Sequence, residues 1–115
     1  SRSSSFAPLP VTRAPLAGQS SLTIQVTGTA VGLVSVPAGA TGIFGNLTVT
    51  NTQGPGDLIL WPTGATQPTT SNINFVLGQT VANSINIGLS SGGAMDVFVH
   101  VSTTDVIIDI AGYVM

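Results

Sequence analysis

Thr41-Gly42-Ile43-Phe44-Gly45-Asn46-Leu47-Thr48-Val49-Thr50-Asn51 is the stretch whose reading decides the fold. Ile43, Leu47 and Val49 fall on one side, and Phe44, Asn46, Thr48 and Thr50 on the other. Such a two-residue period marks a half-buried β-strand. Upstream, Leu22, Ile24 and Val26 alternate with Thr23, Gln25 and Thr27, and a short apolar piece at 31–36 leads to a turn at Pro37-Ala38-Gly39. Downstream, Gly54-Pro55-Gly56 is a strong turn signal, followed by a strand at 57–61 and a Pro/Thr/Gly loop at 62–71. Further strands are predicted at 72–76, near 84–89, at 95–101 and at 104–114, punctuated by Gly78-Gln79 and by residues 90–93. About seven or eight strands at roughly ten-residue spacing, with no helical pattern, predict an all-β antiparallel β-sandwich, jelly-roll-like. Residues 105–110 are apolar on both sides apart from their aspartates, which places that strand centrally in its sheet.

The composition supports strands and excludes several functions. The 115 residues are 43% hydrophobic and 5% charged, with 2 Arg, 4 Asp, and neither lysine nor glutamate. Thr, Ser, Gly and Pro take the place of charge, a mixture suited to strands and turns rather than helices. Two basic residues cannot neutralise a run of phosphates or dock on an anionic membrane. Zero cysteines removes disulfides, thiolate nucleophiles and Cys-ligated metals. No apolar run approaches a membrane span. A net charge of −2 leaves little repulsion between copies.

Residues 1–17 hold three prolines and no strand period, and are read as an extended, polyproline-like, Pro/Ser-rich arm ahead of one domain at 18–115. A chain beginning at Ser1 fits a mature extracellular or cell-surface protein from which a signal peptide has been removed.

Several motifs occur in order: Thr12-Arg13, Pro15-Leu16, Gly18-Gln19, Val36-Pro37-Ala38-Gly39-Ala40-Thr41, Asn46-Leu47-Thr48-Val49-Thr50-Asn51, Gly54-Pro55-Gly56, Leu60-Trp61-Pro62, Ser71-Asn72-Ile73-Asn74-Phe75, Gly78-Gln79-Thr80-Val81-Ala82-Asn83 and Asp109-Ile110-Ala111-Gly112-Tyr113. Together they resemble a β-rich module that recurs, singly or in tandem, in secreted and surface proteins of bacteria such as actinobacteria and chloroflexi. The resemblance spans nearly the whole chain. It implies a surface location, no catalysis, and a module usually attached to something larger.

Candidate chemistry is sparse. Asp96 and His100 share one side of a strand, with Asp105 and Asp109 on the next, but a single His is too few for a zinc site. Calcium is the cation that carboxylates and carbonyls would suit, yet the spacing fits no EF-hand loop. Asp109 is expected to hydrogen-bond near Tyr113. His100 and abundant serines allow a triad on paper, but no Gly-x-Ser-x-Gly elbow accompanies them. No catalytic, cofactor-binding or metal residue is therefore assigned, and an enzyme is not expected.

Two binding surfaces are expected instead. Strand faces rich in Thr, Asn and Gln lack the lysines that normally guard sheet edges. The leading expectation is a non-enzymatic structural subunit that self-assembles into a filament, layer or other homo-oligomer. Its interface is the strand edges and the arm residues Phe6, Pro8, Leu9, Pro10, Val11 and Arg13. The alternative is a cell-wall or carbohydrate-binding module using Trp61, Tyr113, Asn72 and Asn74. A phage decoration or tail subunit is a third reading. For Trp61 packing in or over the core is the preferred reading, because large aromatic residues are mostly buried, and for Asn72 and Asn74 it is satisfaction of neighbouring loop backbone.

Overall fold

The computed structural model describes residues 3–10, 15–28, 30–31 and 34–115. Eleven strands follow in order: β1 (Ser3–Pro10), β2 (Pro15–Leu16), β3 (Ser20–Gln25), β4 (Ala30–Val31), β5 (Val34–Ser35), β6 (Gly42–Thr50), β7 (Gly56–Pro62), β8 (Ile73–Phe75), β9 (Val81–Gly88), β10 (Ala94–Val101) and β11 (Thr104–Val114). There is no helix among the described residues.

One sheet runs β1-β11-β6-β9, with the short β2 also on β11; the other runs β3-β10-β7-β8, and β4 pairs with β5 in a small hairpin. Neighbouring strands are antiparallel throughout. Setting β2, β4 and β5 aside, the chain changes sheet at every connection except β7 to β8. That interleaving gives the double-sheet jelly roll, the all-β sandwich the alternation predicts.

The inner faces follow from the alternation. Ile43, Leu47 and Val49 of β6 and Val106 and Ile108 of β11 meet Leu58, Met95, Val97 and Val99 from the opposite sheet, all fully buried. Each such side chain removed from water contributes roughly 1.5–3 kcal/mol. Outward along β11 stand Asp105, Ile107 and Asp109, each half-buried.

A bulge near the end of β11 changes this facing. Ile110 lies opposite Gly45 and Gly112 opposite Phe44, leaving Ala111 as the extra residue. Beyond it Tyr113 pairs with Ile43 and packs against the core instead of pointing outward. Gly45 is what lets the two strands close around the bulge: a Cβ there would collide with the Asp109 carbonyl oxygen and lie 3.0 Å from the Ala111 nitrogen.

The N-terminal segment departs most from its sequence pattern. Read from sequence as an arm without strand period, its residues 3–10 form β1 along β11, from Ser3 opposite Val114 to Pro10 opposite Asp109. The register shifts between Ser5 and Leu9. An edge strand tolerates prolines, because its outer N–H groups need no partner in the ladder, and proline's φ suits an extended backbone. Val11 and Arg13 lie outside the described residues.

Two substitutions test this facing. Ile108→Ala should cost about 2–5 kcal/mol in urea unfolding, and Ile107→Ala one residue away about 1 kcal/mol or less. Gly45→Ala should cost about 1–3 kcal/mol, because neither contacting backbone atom can step aside. Equal losses at 107 and 108 would contradict the register of β11.

Candidate functional site

The four residues named for a glycan do not converge. Trp61 is 8% exposed, so its ring offers almost no surface to a ligand. It points outward from β7 opposite Asp96, and with Ile59 it is buried outside the cluster that fills the space between the sheets. Tyr113 is half-buried against the core at the end of β11. The Asn72 side-chain oxygen accepts the Leu60 N–H at 2.8 Å, fixing the loop against β7. Asn74 is exposed and accepts the Ser71 hydroxyl at 2.8 Å.

The titratable groups are spread over both outer faces. His100 Nδ1 and Asp57 Oδ1 lie 2.9 Å apart on neighbouring strands β10 and β7, and the Phe98 ring stacks beside the imidazole with centroids 6.0 Å apart. Asp96 accepts hydroxyls from Thr23 at 2.7 Å and Thr63 at 2.8 Å. On the other sheet Asp105 accepts the Asn51 amide at 2.8 Å. The Asp109 side chain, expected to hydrogen-bond near Tyr113, makes no hydrogen bond among the described residues. No group of three or more metal-ligating side chains forms among the described residues.

Two grooves open on opposite faces. One, of about 420 Å³, lies over β7 and β10 between the Asp57–His100 pair, Ile59, Phe98 and residues 67–69 of the long loop. Its carboxylate and imidazole already satisfy one another. The other, of about 410 Å³, crosses β11, β6 and β9 at the Ala111 bulge and is lined by Phe44, Asn46, Ser84 and Asp109. Sequence reasoning missed this second group. Alternation puts Phe44 and Asn46 outward, but only the pairing of β6 with β9 and β11 brings Ser84 and Asp109 beside them.

The residues expected to mediate assembly that fall within the described residues lie along a sheet edge. Of the residues named, Phe6, Pro8, Leu9 and Pro10 belong to β1, the edge strand on β11. The opposite edge of that sheet is β9, and β3 and β8 bound the other sheet. Neither β3 nor β9 carries a charged residue or a proline. Between β8 and β9 a turn presents Val76 and Leu77, 58% and 69% exposed. It is anchored on buried Thr52, whose hydroxyl donates to the Val76 carbonyl at 2.6 Å and accepts the Gln79 N–H at 2.9 Å.

No protein-family model matches this chain, and no curated protein matches it either.

Proposed function

We propose that this protein is an extracellular, non-enzymatic structural subunit that self-assembles, and that copies join by placing the N-terminal strand of one on the β11 edge of the next. The observation that carries this reading is the pairing of β1 with residues 109–114 of β11. The ladder consists of backbone hydrogen bonds that any copy's identical segment can make. Exchange of an identical element therefore loses no native pairing and costs mainly the entropy of association. Passed head to tail, the strand builds a ring or an open filament; passed reciprocally, it builds a dimer.

The surface supports the same reading. Edges of free-standing sheets are normally guarded by lysine, proline or a bulge, and β3 and β9 have no charge or proline. Val76 and Leu77, held out by the Thr52-anchored turn, add apolar area of the kind that copies bury against one another. With a formal charge of −2, copies repel weakly.

The cysteine-free chain allows a direct test. Ser3→Cys with Val114→Cys places two thiols at facing positions of the β1–β11 pair. Oxidised from its assembled state, the double variant should run as a ladder of covalent multimers on a non-reducing gel and as a monomer after reduction. Oxidised dilute and monomeric, it should be locked out of assembly until reduced. A chain lacking residues 1–13 should be monomeric by light scattering and take up a peptide of residues 1–13. Assembly of that truncated chain to the same extent as the intact one would remove the strand from the model. An intact chain that stays monomeric at high concentration would sink self-assembly itself.

A further inference from the structure

We infer that the groove on the outer face of the β1-β11-β6-β9 sheet is a binding site for an uncharged sugar ring, with Phe44 as its platform and Asp109, Asn46 and Ser84 as its hydrogen-bonding row. The inference is independent of the assembly reading.

The row is a consequence of register. Asp109 lies opposite Asn46, and Asn46 opposite Ser84, on three adjacent strands. Adjacent strands stand about 4.8 Å apart, so the three side chains span roughly 10 Å in one line across the sheet. The next row holds Gly112, Phe44 and Asn86. Gly112 brings no side chain opposite Phe44, and the half-buried phenyl ring lines the groove beside the polar row. The Ala111 bulge and Gly45, which admits the close approach of β11, shape the hollow between them.

What separates Asp109 from the other three aspartates is its side chain's lack of an internal partner. Asp57, Asp96 and Asp105 are each engaged, by His100, by Thr23 and Thr63, and by Asn51. Thr50 and Thr80 bond each other at 2.7 Å. Asp109, Asn46 and Ser84 make no side-chain hydrogen bond among the described residues, although all three line one groove. A carboxylate accepts, while an amide and a hydroxyl both donate and accept. That combination matches vicinal hydroxyls, each of which also donates and accepts. The flat ring suits the apolar C–H face of the same molecule. The carboxylate disfavours phosphates and other anions, and the groove is lined by no cationic side chain among the described residues.

Titration calorimetry on the intact chain with cellohexaose, chitohexaose, xylohexaose and mannohexaose tests the assignment. At least one should bind. Asn46→Ala and Asp109→Asn should each weaken that binding roughly 5- to 10-fold, and Phe44→Ala roughly 10-fold or more. Asn46 is exposed, so its replacement leaves the fold intact even if the phenylalanine variant does not fold. Phe98→Ala, in the groove of the opposite sheet, should leave affinity unchanged. No heat with any of the four at millimolar concentration overturns the proposal. So does binding that survives Asn46→Ala and Asp109→Asn undiminished, or binding of tetramethylammonium with none of the saccharides.

Discussion

Strand β11 is the constraint on which the rest of the structure depends. It is the longest strand and is paired on both sides, with β6 along one edge and with β1 and β2 along the other. Its alternate residues Thr104, Val106, Ile108 and Ile110 are buried, so the strand fixes the sheet laterally and closes the core beneath it. A shift by one residue would turn Asp105, Ile107 and Asp109 inward, burying two carboxylates without partners. The alternation and the aspartates together specify one register. The same strand carries the bulge at Ala111, the free carboxylate of Asp109 and the edge that β1 occupies. Core, groove and the edge paired with β1 therefore share one element.

Most of the fold was legible because its strands obey a strict period and its turns use glycine and proline. Residues 104–114 form a strand with the bounds expected of it, and 42–50, 56–62 and 94–101 differ from expectation by a residue or so. The N-terminal segment was not legible as a strand. An edge strand is held by backbone hydrogen bonds, which leave no required side-chain pattern, and its prolines read as polyproline. At the other edge β9 begins three residues earlier than its apolar residues suggest, because Val81, Ala82 and Asn83 are held by pairing with β6.

The site was less legible than the fold, for reasons particular residues make plain. Trp61 is buried, as large aromatic residues mostly are, but over the outer face of β7 and not between the sheets, and that placement is a tertiary fact no period encodes. Tyr113 would face outward if β11 were regular, and the inserted Ala111 turns it to the core. Asn72 follows the expectation that its amide satisfies nearby backbone, accepting the Leu60 N–H across twelve residues of chain, which takes it from the glycan set. Conversely, Phe44 and Asn46 were placed on the correct outer face. Their neighbours Ser84 and Asp109 come from strands 38 residues downstream in one case and 63 in the other, and alternation assigns faces without assigning neighbours.

The scarcity of charge ties these features together. With no lysine or glutamate, three of the four aspartates find partners among threonine, asparagine and histidine, and no buried side-chain nitrogen or oxygen is left without a hydrogen bond among the described residues. Neutral hydroxyls and amides satisfy the fold at close range but project almost no field beyond it. Recognition by such a surface must therefore work at contact distance, through backbone edges, apolar turns and short hydrogen bonds. The proposed strand donation to β11 and the proposed sugar ring over Phe44 are both recognition of that kind. Both draw on groups whose hydrogen-bonding capacity the fold does not consume: the edge of β11 wherever β1 leaves it, and the row of Asp109, Asn46 and Ser84.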